Sequence, residues 1–134
     1  MSEMKAKLVW KENMVMESEI RGIKVTMDSK DEGENKGQAP KELVLSGLCG
    51  CTAMDVIAIL KKMRALPESF RIEAEATQTE EHPRVFNKIH LKYIAKGVDR
   101  EKFEKAVKLS QEKYCGVSEM LRKTAEITYE IILE

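Results

Sequence analysis

With 134 residues, 43% hydrophobic and 34% charged, the chain has the size and composition of one folded domain able to bury about two thirds of its unfolded surface. Disorder and an integral membrane protein are both excluded on that balance. Lys plus Arg and Asp plus Glu number 23 each, so the formal charge is zero and no extended polyanion such as nucleic acid is an expected partner.

Residues 4 to 28 read as a three-stranded antiparallel meander, with breaks at Glu12-Asn13 and Arg21-Gly22 where turn chemistry is available. The opening MSEMKAKLVW has no basic stretch leading into an apolar run, so the cytoplasm is the expected compartment. Residues 28 to 39, DSKDEGENKGQA, are charged and punctuated by Gly, which predicts a solvated, mobile linker. Pro40 then stands at a first helical position, and good helix formers run from Lys41 to Arg64 as one long helix or two abutting ones, weak only at Gly47 and Gly50, with Lys61, Lys62 and Arg64 favoured by the dipole at the end and Pro67 as the stop. Leu43 to Leu60 is almost wholly apolar or small. Asp55 lies deep inside it and would cost roughly 2.5 to 3.5 kcal/mol at a bilayer centre, so the expectation is a buried central helix and no membrane.

Phe70 to Thr79 alternates with period two, His82-Pro83 makes a turn, and Val85 to Tyr93 alternates again. That second strand puts Val85, Asn87, Ile89, Leu91 and Tyr93 on one face and His90 on the other, as a solvent-side or interface residue. Asp99 caps a helix whose Phe103, Ala106, Val107 and Ser110 recur at helical spacing up to about Lys113. Cys115-Gly116-Val117-Ser118 interrupts it, Ser118 is the expected cap of a short last helix with Leu121 inside, and Glu126 to Leu133 is a final strand. The fold class is α+β, without internal repeats.

Three cysteines, Cys49, Cys51 and Cys115, lack disulfide-framework spacing, and are either inert core thiols or chemistry. A metal is not expected, because C-x-C plus one distant Cys lacks the paired C-x-x-C pattern and only His82 and His90 remain to complete a set. Two residues along a helix turn the direction by about 200°, so Cys49 and Cys51 point apart and at most one faces a site. Cys115 lies at a break before a helix, near backbone N–H groups that favour a thiolate. A thiol fixed in a helix and another in a break suit an attacking and a resolving role. Asp55, four residues after Cys51, lies on its face and would raise a nearby thiol pKa unless paired across a dimer; Thr52 and Tyr114 read as packing.

Gln38-Ala39-Pro40-Lys41-Glu42-Leu43, then Gly50-Cys51-Thr52-Ala53-Met54-Asp55-Val56, the exit Lys61-Lys62-Met63-Arg64 and the later Tyr114-Cys115-Gly116-Val117-Ser118 resemble the OsmC/Ohr family across essentially the whole chain. Gly-Cys-Thr followed by Asp-Val is more similar to its OsmC-like branch than to the hydroperoxide reductases. The resemblance implies one OsmC-like domain over residues 1–134. It also implies an intertwined homodimer, with antiparallel sheets wrapped around long central helices and active sites at the subunit interface. A helix apolar nearly all round needs such cover.

What the resemblance further implies is reduction of a small organic hydroperoxide to the alcohol, with no metal, flavin or haem cofactor. Cys51 would become a sulfenic acid, Cys115 would condense with it into a disulfide, and an external dithiol reductant would reset the pair. The activating cation would be Arg21, before Gly22. Lys24, Arg64, Arg71 and Arg84 are the other basic candidates. The family carboxylate that orients this Arg directly follows the Pro; here that residue is Lys41 and Glu42 comes next, so Glu42 is the orienting candidate, with dipole stabilisation as its alternative role. The second functional expectation is a member without peroxidase activity, which binds a small apolar or sulfur-containing ligand at the interface.

Overall fold

The computed structural model of the chain describes residues 2–134. Strands β1 (Lys7–Glu12), β2 (Val15–Ile20) and β3 (Ile23–Met27) precede helix α1 (Pro40–Lys62). Strands β4 (Ser69–Gln78) and β5 (Phe86–Lys96), helix α2 (Arg100–Leu109), a π-helical turn at Ser110–Tyr114, helix α3 (Gly116–Leu121) and strand β6 (Glu126–Leu133) complete the chain. The contacts divide the chain into two units, one ending at Val44 and the other spanning Leu45–Glu134.

In the first unit the strands form the expected antiparallel meander in the order β1-β2-β3. The turn between β2 and β3 is Arg21-Gly22, with φ of 56° and 80°, the doubly left-handed backbone of a two-residue hairpin. Leu8, Trp10, Ile20, Ile23 and Val25 remain exposed on this sheet. The segment after β3 differs from the solvated linker expected of its composition. Asp28 is only 2% exposed. Its carboxylate accepts the N–H groups of Ser29 at 2.8 Å, Glu34 at 2.9 Å and Lys36 at 3.2 Å, which curls the charged residues around it. Gly33 is required there, since a Cβ would come within 2.2 Å of an Asp28 oxygen. These amides hold the Asp28 carboxyl below its usual pKa, that of Glu34 most, against the opposing effect of desolvation.

At the start of α1 the Glu42 carboxylate reaches back to accept the N–H of Ala39 at 2.8 Å, satisfying a backbone donor that a helix start leaves open. The other end closes through Arg64, in left-handed conformation with φ 56°, and the bond from Ala65 N–H to the Leu60 carbonyl.

The second sheet has the order β4-β5-β6. Only β4 and β5 are antiparallel; β6 runs parallel to β5, in register from Lys88 with Glu126 to Ala95 with Leu133. This corrects the expectation of antiparallel sheets throughout: between β5 and β6 the chain crosses back through α2 and α3, which a parallel pair requires. The inner face carries Ile89, Leu91, Tyr93 and Ala95, packed with Leu48, Val56, Leu60, Phe103, Ala106 and Val107. The predicted face fails at its start, because the β4–β5 register shifts between Thr77 and Gln78. Asn87 is thereby left opposite no partner, and Phe86, not Val85 or Asn87, packs against the core. His90 is on the outer face as expected, its Nδ1 2.7 Å from the Thr128 hydroxyl and its Nε2 3.3 Å from Glu130.

Helix α1 is the long apolar helix foreseen, yet its own chain buries a single stripe: Leu48, Thr52, Val56 and Leu60, each four residues from the last. Met54 is 75% exposed. By length and composition this one helix would suffice to cross a membrane.

Candidate active site

Cys51, Asp55 and Cys115 converge. One sulfur or oxygen atom from each lies within 4.8 Å of the others, and this is the one grouping of His, Cys, Asp or Glu side chains among the described residues whose donor atoms are close enough to share a metal ion. The elements explain the convergence. Cys51 and Asp55 are separated by one turn of α1 and so share a face. Cys115 follows the π-helical turn, in which Cys115 N–H bonds to the Ser110 carbonyl at 2.7 Å, five residues back. That wider turn ends α2 and releases the chain into extended backbone at Cys115, with ψ 101°. Donor spacing along the sequence, the ground for setting a metal aside, does not register a pair 64 residues apart brought together by the fold.

Cys115, rather than Ser118, caps α3: its sulfur accepts the Ser118 N–H at 3.4 Å. Its surroundings also differ from those expected of a thiol at a mobile break. Cys115 is 3% exposed. Burial pushes its thiol pKa up, Ser118 pulls the other way, and nearby Cys51 adds to the upward shift. Cys51 is half-buried. Cys49, two residues earlier, is also half-buried, and burial likewise pushes its thiol up.

A polar network runs inward from Asp55, and it includes Thr52, which the sequence alone suggested was packing. Asp55 Oδ2 accepts the Ser110 hydroxyl at 2.9 Å; Ser110 Oγ is 2.7 Å from Thr52 Oγ1, which is 2.7 Å from the Tyr93 hydroxyl. Gln111 Nε2 donates to Tyr93 at 2.7 Å and to Thr52 at 3.3 Å. Arg122 Nη2 donates in turn to Gln111 Oε1 at 2.9 Å and to the Gln111 backbone carbonyl. Desolvation pushes Tyr93 up to about 12, so it stands as a phenol with a proton to donate. Asp55 therefore has a partner within its own chain. The available signal was Ser110: a hydroxyl on an otherwise apolar helical stripe must find a bond partner inside.

An open cavity of about 450 Å³ adjoins Asp55 and is lined with Ala58, Ile59, Met63 and Leu109, with Lys62, Lys105 and Tyr114 also on its wall. Tyr114 is 52% exposed, with the Lys113 ammonium 5.3 Å from its ring centre. The other two predicted site residues belong to the unit that ends at Val44: Arg21 is in the β2–β3 turn, and the Glu42 carboxylate is engaged in capping α1.

The chain is similar to known proteins along nearly its whole length. Protein YhfA of Escherichia coli K12 is 36% identical over 134 residues, covering 96% of this chain and 98% of its own. A hypothetical protein of Aquifex aeolicus VF5 has a crystal structure with a TM-score of 0.86 at 31% identity, covering 100% of this chain and 99% of that one. The organic hydroperoxide resistance protein OsmC of Legionella pneumophila shares the fold at 17% identity and a TM-score of 0.72, covering 98% and 97%. The OsmC-like protein family is matched over residues 33–130, and the chain belongs to it.

Proposed function

We propose that the protein is a thiol peroxidase that reduces small organic hydroperoxides, with Cys51 as the attacking thiol and Cys115 as the resolving one. The observation that carries this reading is the approach of the two sulfurs to within 4.8 Å, grouped with the Asp55 carboxylate, which itself borders an open cavity. A thiol, S–H, attacks the terminal peroxide oxygen, the O–O bond breaks, an alcohol leaves and Cys51 becomes a sulfenic acid. The Cys115 thiol then condenses with it, expelling water and forming a disulfide, and an external dithiol restores both thiols. The apolar wall of Ala58, Ile59, Met63 and Leu109 favours an alkyl tail over hydrogen peroxide.

Arg21 is the cation assigned to stabilise the Cys51 thiolate, with Glu42 orienting it; the capping bond to Ala39 is the competing role of Glu42. The reading includes a cytoplasmic homodimer built from single-domain subunits. The family match across the Val44–Leu45 boundary supports one domain. The exposed apolar residues of the first sheet and of α1, Trp10 and Met54 foremost, support cover by a second copy.

The test is intact mass and thiol counting after one equivalent of cumene hydroperoxide. Wild type loses two thiols and gains no oxygen, Cys115→Ser retains a Cys51 sulfenic acid that dimedone labels, and Cys51→Ser does neither. Arg21→Ala slows the oxidation. Oxidation of Cys51 no faster than that of free cysteine at the same pH would remove the enzyme reading and leave the cavity beside Asp55 as the site of a small apolar ligand.

A further inference from the structure

The hydroxyls behind Asp55 have one possible direction. A carboxylate only accepts and an amide N–H only donates, so the two ends fix everything between them. Ser110 gives its single proton to Asp55; the Thr52–Ser110 bond is therefore donated by Thr52, and the Tyr93–Thr52 bond by Tyr93. Tyr93 accepts from Gln111, whose amide is oriented by the Arg122 guanidinium on its oxygen. Five donors in series point from a cation towards Asp55, and each polarises the next. The last of them, Ser110, fixes the orientation of that carboxylate, beside two thiols and at the wall of the cavity.

An anion there is an electrostatic disadvantage for a reactive thiol, because it opposes formation of the thiolate. Its placement makes sense if the carboxylate takes the proton itself. We infer that Asp55 is a catalytic acid–base group, which accepts the Cys51 proton and returns it to the departing alkoxide. The inference rests on the peroxidase reading. Atoms balance as follows: the thiol proton moves to Asp55, the sulfur electron pair forms a bond to the terminal peroxide oxygen, the O–O bond breaks, and the alkoxide leaves with the proton from Asp55. The products are the Cys51 sulfenic acid and an alcohol, with Asp55 again a carboxylate. Ser110 holds one carboxylate oxygen in place throughout. The other charged or titratable groups around the carboxylate are Cys115 and, across the cavity, Lys62, Lys105 and Tyr114. The lysines lie on the substrate side and the hydroxyl chain on the protein side.

Two reactions of Cys51 separate this role from a purely structural or electrostatic one. Attack on cumene hydroperoxide expels an alkoxide that needs a proton, whereas alkylation by iodoacetamide expels iodide, which needs none. Asp55→Asn is expected to slow peroxide oxidation of Cys51 by about 100-fold or more, the usual scale of general acid–base catalysis, and to slow alkylation far less, because alkylation calls on Asp55 only to accept the thiol proton and never to donate one. Parallel changes in the two rates, or peroxide oxidation as fast as in wild type, would overturn the role. Wild type supplies a second measurement free of any folding effect. Across hydroperoxides whose product alcohols differ in acidity, its rate should depend on the leaving group less steeply than that of free cysteine. An equal slope counts against Asp55. Failure of wild-type Cys51 to outpace free cysteine defeats the peroxidase reading first, and the acid–base role with it.

Discussion

Two aspartates on this chain show how differently a protein can use the same side chain. Asp28 receives three backbone N–H groups across its two oxygens, from residues one, six and eight positions on. Those donors cannot leave without uncurling the segment. Asp55 receives one hydroxyl, from Ser110, and otherwise borders two thiols and an open cavity. A carboxylate saturated by main chain defines a conformation, because its acceptor capacity is spent on amides. A carboxylate holding one hydroxyl keeps an oxygen for a proton or a ligand. Charge alone would not separate them; the number and kind of donors does.

Exchanging their roles by mutation is the sharpest way to break this contrast. Asp28→Ala strands three amides, and should produce the largest fall in Tm of any substitution considered, several degrees by circular dichroism, while leaving the rate constant of Cys51 oxidation unchanged in the folded protein. Asp55→Asn should do the reverse. The pH dependence has a definite sign. The folded pKa of Asp28 is below its unfolded value, which lies near 4, so its contribution is fully present above that value and disappears as pH falls through the folded pKa. The Tm gap between wild type and Asp28→Asn should hold from pH 7 to about 5 and shrink below 4. A gap that does not shrink at all as pH falls below 4 would mean the stabilising group is not this carboxylate.

The hydroxyl chain is the next test, with a smaller effect on stability. Thr52→Val keeps the shape and removes the link between Tyr93 and Ser110, leaving buried hydroxyls short of a partner at about 1 to 3 kcal/mol. Urea unfolding measures the loss. If Asp55 depends on the chain for its orientation, the variant should also lose part of its peroxide reactivity, and unchanged stability would show that water replaces the missing hydroxyl.

The reach of the sequence follows the same division between local and non-local causes. Alternation and turn residues such as Arg21-Gly22 identified the meander, and Pro40 placed the long helix, because those signals act over a few residues. Cys51 and Cys115 came from the motifs of the family. The curl around Asp28 was missed because its bonds run to backbone amides, which composition does not display. The π-helical turn was read only as an interruption. A one-residue widening leaves the apolar stripe of Phe103, Ala106, Val107 and Ser110 intact up to that point. The parallel pairing of β6 and the path from Arg122 to Asp55 depend on which elements meet, and a single sequence carries no period for that.

Cys49 is where the smallest effect is expected. It lies two positions before Cys51 on the same helix, on a direction turned by about 200°, so it is no part of the grouping with Asp55 and Cys115. Burial raises its thiol pKa, which lowers the fraction present as thiolate at neutral pH and with it the reactivity towards peroxide. Cys49→Ser should therefore leave turnover unchanged. In wild type, mass mapping after limiting alkylation should find the label on Cys51 before Cys49. Lost turnover in Cys49→Ser, with full turnover in Cys51→Ser, would reverse the assignment. It would also detach Asp55 from the chemistry, since the carboxylate shares a face with only one of the two helical thiols.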